Sequence, residues 1–92
     1  MKIQRVTLDG SVTGVRFEES RCGKWLVKNF GDEDIFVSFD ESVDESESVK
    51  IASGCGQVIV ENERLGFLSP FEHDTIYILG TGEVEVQQLW FH

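Results

Sequence analysis

Apolar and polar residues alternate with a period of two along most of this chain, in short runs separated by glycine-rich or acidic breaks. That period marks strands with one face turned to a core. Ile3 to Leu8 is the first such run. It ends at Asp9-Gly10, a pair that favours a two-residue hairpin turn, so Val12 to Phe17 reads as its return arm, with Val15 and Phe17 on one face. Glu18 to Gly23 is polar and reads as a loop. In Lys24 to Phe30, Trp25, Val27 and Asn29 share one face while Leu26, Lys28 and Phe30 share the other. Ile35 to Phe39 follows the turn Gly31-Asp32-Glu33-Asp34, and these two strands are expected to pair as an antiparallel hairpin.

Beyond Phe39 the pattern changes. Asp40 to Ser48 holds five acids, three serines and one valine, and cannot be a core element. Ser48 to Ile51 is a short strand, Gly54-Cys55-Gly56 a turn, and Gln57 to Glu61 another strand. Glu63 to Leu68 suits either a strand or a single buried turn, and Ser69-Pro70 breaks it, since proline lacks an N–H and restricts its predecessor. Thr75 to Leu79 is a strand, Gly80-Thr81-Gly82 a turn, and Glu83 to Phe91 the longest strand. Nowhere do apolar residues hold a helical spacing over three turns. Seven to eight short strands in one small all-β domain must close or stack to hide their faces, which predicts a single antiparallel β-sandwich or small barrel. No internal repeat or linker divides the chain.

Composition supports one core. Of 92 residues, 40% are apolar, with seven Phe and two Trp, and nine Gly stand against one Pro. The net charge is −9, which argues against gripping nucleic acid or an anionic membrane, because both need clustered cations. The charge is also uneven. Residues 1–28 have a net charge of +3 and residues 29–92 of −12. The more basic leading segment, 1–23, read as a hairpin or arm, is therefore set against an acidic β-body, 24–92. Lys2, Arg5, Arg16 and Arg21 in that arm are candidates for docking a partner.

Chemistry leaves few traces. His73 lies in a polar stretch and His92 is the last residue, with no His or Cys at metal-ligand spacing beside either. Cys22 and Cys55 belong to no C-x-x-C and are read as free thiols made in a reducing compartment. The glycine clusters lack the helix start and lysine of a phosphate loop. Asp40, Glu41, Asp44, Glu45 and Glu47 could meet a hard cation, but they lack the order of a calcium loop, and a solvated loop explains them. Trp25, Tyr77 and Trp90 could stack on a sugar, although alternation assigns both tryptophans to the core. No enzyme, cofactor or metal is expected. The open alternatives are a carbohydrate-binding module for host glycans and an acidic mimic of nucleic acid.

Several segments in order carry a further likeness: Lys24-Trp25-Leu26-Val27-Lys28-Asn29-Phe30, Asp34-Ile35-Phe36-Val37-Ser38-Phe39, Ser48-Val49-Lys50-Ile51-Ala52-Ser53-Gly54, Thr75-Ile76-Tyr77-Ile78-Leu79 and Gly80-Thr81-Gly82-Glu83-Val84-Glu85-Val86-Gln87. Together they resemble the small virion-associated β-sandwich proteins of phages and prophages of Gram-positive bacteria, over about Lys24 to Leu89. The resemblance implies a structural subunit of the head-decoration, head-fibre or tail-associated type. Such a subunit is made in the bacterial cytoplasm and assembles with itself and other virion proteins as a homo-oligomer in the virion. It brings no catalytic residues.

Overall fold

A computed structural model of the chain describes residues 3–18, 22–46, 48–60 and 74–91, with 22, 23, 60, 90 and 91 described by backbone alone. The expectations for residues 63–70, and for His73 and His92, lie outside these. The chain is all-β. Among the described residues, six strands form one antiparallel sheet that is nearly closed into a barrel. They are β1 (Ile3–Arg16), β2 (Cys22–Asn29), β3 (Ile35–Ser38), β4 (Val49–Ile51), β5 (Gly56–Val60) and β6 (Thr75–Phe91).

The topology follows from one long strand. β6 has 17 residues, and β1 pairs with it from Ile3↔Gln87 to Arg16↔Thr75 along one edge. On the opposite edge β2 and β3 lie end to end, β2 against residues 84–91 and β3 against residues 77–79. β5 then pairs with β2, and β4 with β3. The sheet is therefore a ribbon folded across its middle. Leaf one holds β2, β5, the first half of β1 and the second half of β6. Leaf two holds β3, β4 and the other halves.

The fold line explains three differences from the sequence reading. Asp9-Gly10 does not turn a hairpin. Gly10 and Ser11 together oppose a single residue of β6, a bulge that bends β1 without ending it. Asp9 holds this bulge, its Oδ1 accepting from the Ser11 amide at 3.0 Å and the Ser11 hydroxyl at 2.6 Å. Gly80-Thr81-Gly82 is likewise a bend inside β6 rather than a turn. Finally, β2 and β3 do not pair with each other. Residues 30–34 carry the chain from one leaf to the other, so the expected hairpin is replaced by two strands sharing a third. Merging the first two and the last two expected strands gives six among the described residues, close to the expected seven to eight.

Asn29 fixes that crossing. Its Nδ2 donates to the Glu33 carbonyl at 2.7 Å and the Ile51 carbonyl at 3.2 Å, while its Oδ1 accepts from the Gly31 amide at 2.9 Å. Gly31 lies directly against the bend of β6: a Cβ on Gly82 would stand 2.8 Å from the Gly31 Cα. The inner faces of the two leaves form one core, with Leu8, Trp25, Val27, Val84 and Val86 from leaf one and Val15, Ile35, Val37, Ile76 and Ile78 from leaf two. Trp25 is fully buried and meets Phe17 and Phe39 edge-on, with centroids 5.5 and 5.8 Å away. Each such pair adds about 0.5–1.5 kcal/mol beyond area burial.

Candidate interaction face

Inward alternation leaves a second set of side chains on the outside of leaf one. Register places Ile3, Gln87, Leu26 and Val58 in one cross-strand row over β1, β6, β2 and β5. The next row is Arg5, Glu85, Lys28 and Gly56. Leu89 and Phe30 continue the outward alternation of β6 and β2. Ile3, Phe30, Val58 and Leu89 are each between 45% and 52% exposed. Four of the five large apolar residues that the described part of the chain exposes thus gather on one leaf, the fifth being Val12.

At the centre of this face stands Glu85, whose side chain is only 6% exposed although it points away from the core. Both of its oxygens are used. Oε1 accepts from Arg5 Nε at 2.8 Å, and Oε2 accepts from Gln87 Nε2 at 2.6 Å with Lys28 Nζ at 3.5 Å. The Arg5 hydrogen bond, then that of Gln87, with Lys28 adding its charge, lower the Glu85 carboxyl from the ordinary 4.5 to about 2, against the opposing effect of burial. The cross-strand register produces this arrangement, because Glu85 faces Arg5 on one side and Lys28 on the other. Opposite charges directly across a ladder stabilise the pairing.

The residues singled out from the sequence are distributed differently. Arg5 belongs to this face. Arg16 lies on leaf two, where its Nε is 3.3 Å from Asp74 Oδ2, so the two arginines do not form one docking patch. Lys2 and Arg21 are outside the described residues. β1 is built into the sheet along its length instead of standing apart as an arm. Trp25 is buried and cannot stack on a sugar. Tyr77 sits on the outside of leaf two, its ring against Gly14, and the side chain of Trp90 is outside the described residues. The glycan platform is therefore not assembled from these residues.

Cys55 is an exposed free thiol. In the acidic loop, Asp40 Oδ1 accepts from the Ser42 amide at 3.0 Å, and Asp44 Oδ1 from the Ser46 amide and hydroxyl at 2.9 Å. These carboxylates shape their own turns. Among the described residues no three His, Cys, Asp or Glu are grouped to hold a metal ion, and no helix is long and apolar enough to cross a membrane. Compared with known protein families, curated proteins and solved structures, the chain matches none.

Sequence reasoning missed this face because it followed the inner alternation. The signal was present in the outward positions of the same strands: Leu26, Val58 and Leu89 are apolar where a solvated face would be polar.

Proposed function

We propose that this chain is a non-enzymatic assembly subunit that acts through protein–protein contacts, and that it serves as a structural component of a phage or prophage virion. The supporting observation is the exposed apolar set on leaf one. Such a concentration, arranged around a charge row that is already internally satisfied, has the composition of an interface with an apolar centre. The acidic remainder of the surface keeps isolated copies apart until a repeating scaffold supplies many weak contacts at once. The likeness of residues 24–89 to small virion β-sandwich proteins supplies the biological setting.

Mass spectrometry of particles induced from the strain carrying this gene tests the reading. The chain is expected in purified particles in stoichiometric amounts relative to the capsid or tail proteins. Its absence from particles of a strain that expresses it would overturn the virion assignment.

A further inference from the structure

In an antiparallel ladder, residues whose N–H and C=O face one neighbouring strand alternate with residues whose groups face the other. The Phe30 amide donates to the Glu83 carbonyl at 2.9 Å, so the backbone of Glu83 faces β2, as does that of Glu85 and Gln87 in turn. Val84 and Val86 therefore face β1, where they meet Val6 and Gln4. The backbone groups of Ile3, Arg5 and Thr7 point the other way, to the far edge of β1. The same phase holds at the end of the strand. The Phe17 amide donates to the Asp74 carbonyl at 2.8 Å, and the carbonyl of Arg16 beside it points to the far edge, where it accepts from the Gln4 side chain. β1 pairs with β6 alone, so among the described residues no strand lies along that far edge. Sheet edges are ordinarily guarded by short length, a proline, a bulge or a charge held over the edge. β4 and β5 are short, at 3 and 5 residues. Ile3 to Thr7 has no such guard: it lacks proline, the bulge comes only after Asp9, and its one charge, Arg5, is drawn across the sheet to Glu85.

We infer that two copies of this chain join edge to edge through β1, antiparallel about a two-fold axis at Thr7, so that leaf one runs on from one copy into the other. The inference rests on the assembly reading above and names its partner as a second copy. An open edge is complementary to an extended backbone, and β1 is one. Set antiparallel to itself, it brings each outward N–H opposite an outward C=O and leaves the pairing with β6 untouched. Register places the axis. Centred on Arg5, it would oppose Arg5 to Arg5; centred on Val6, it would oppose Ile3 to Asp9. Centred on Thr7, it sets Thr7 against Thr7, Val6 against Leu8 and Arg5 against Asp9, with no like charges opposed. β1 itself holds two arginines and one aspartate, so the edge is spared the acidity behind the net charge of −9. The contact is isologous and closes at two. It carries the exposed Ile3, Val58 and Leu89 of both copies on one side of a continuous sheet.

Sedimentation velocity over a concentration series reaching about 1 mM, where even a contact with a millimolar Kd is populated, tests the inference. The wild type is expected to rise from a monomer of 10.4 kDa to twice that mass and stop there. Thr7→Pro removes an N–H from the far edge and none from the ladder with β6, a place where a sheet tolerates proline, and is expected to stay monomeric. Near-UV circular dichroism of Trp25 verifies that it folds. A second measurement does not depend on that variant. In a Cys22→Ser, Cys55→Ser background, Thr7→Cys and Ile3→Cys are compared under mild oxidation. Hydrogen-bonded cross-strand pairs hold their Cα atoms about 5.5 Å apart, within disulfide reach, so Thr7→Cys is expected to link into a dimer more than about tenfold faster than Ile3→Cys. In this register the two copies of residue 3 lie roughly 27 Å apart along the strands.

A wild type that is monomeric throughout, a mass that climbs past two, a folded Thr7→Pro variant that dimerises like the wild type, or a Thr7→Cys variant that links no faster than Ile3→Cys would each overturn the pairing. Detection of the chain in induced particles is scored separately, so the edge pairing can fail while the assembly reading stands.

Discussion

At Asn29, a buried amide has three partners that nothing else in the structure supplies together: the Glu33 and Ile51 carbonyls and the Gly31 amide. Asn29→Ala strands all three beside the core and is expected to cost about 2–4 kcal/mol of stability, read from urea unfolding. Asn29→Asp should cost more at neutral pH, because it turns a carboxylate oxygen towards two carbonyls. Glu85 makes the opposite kind of contribution, one that depends on pH. Its carboxyl titrates at about 2 when folded and near 4.5 when unfolded, so the unfolded chain takes up the proton first. The resulting stability is fully present above about 4.5 and is lost as pH falls towards 2. Asp9, Asp40 and Asp74, lowered chiefly by hydrogen bonds from Ser11, Ser42 and Thr75, add loss in the same direction. Urea midpoints measured at pH 7 and pH 2.5 are expected to fall less for Glu85→Gln than for the wild type. An equal fall would mean that the Arg5–Glu85–Lys28 row does not stabilise the fold.

Among the elements, the fold line is set by close backbone approach. Gly82 has φ +92°, and an added Cβ would stand 2.8 Å from the Gly31 Cα, a contact that only backbone movement can relieve. Gly82→Ala is expected to cost about 3 kcal/mol or more, from backbone strain and overpacking together. Gly54 is the control: its φ is +75°, but nothing lies within 4 Å of an added Cβ, so Gly54→Ala should cost only about 1 kcal/mol. Thermal unfolding of the two variants side by side measures the difference. The same geometry explains what was legible in the chain. Alternation located nearly every described strand and put Trp25, which shares a face with Val27, in the core, where both are buried. It could not distinguish a glycine that ends a strand from one that bends it, because both need the same φ. Asp9-Gly10 and Gly80-Thr81-Gly82 were therefore read as turns when they are bends. Whether β2 pairs with β3 or with a strand far along the chain, as in Asn29↔Val84, depends on Asn29 and on the Gly31–Gly82 contact. Both are long-range facts that no local pattern records.

For the molecule as a whole, the folded ribbon makes a prediction about cooperativity. β1 and β6 each run through both leaves, and Trp25 of leaf one packs against Phe17 and Phe39 at the leaf-two side of the core. Among the described residues neither leaf has a core of its own, since the inner face of each packs against that of the other. A core deletion in leaf two should therefore loosen leaf one to the same extent. Ile78→Ala, at a fully buried position, is expected to cost about 2–5 kcal/mol through lost burial and the cavity left behind. In a Trp90→Phe background, Trp25 is the chain's only tryptophan and reports on leaf one alone. Its fluorescence midpoint in urea should move by the same amount as the far-ultraviolet circular dichroism midpoint, and the two curves should remain superimposed. Separation of the curves, with Trp25 still buried after half of the strand signal is gone, would show that leaf one stands without leaf two. Such autonomy would conflict with a core shared across the fold, because Ile76 and Ile78 supply part of the apolar cover over leaf one. Coincident curves would also bear on the proposed assembly role: a subunit that unfolds as one body presents its outer surface in a fixed arrangement, which contacts on a repeating scaffold require of every copy.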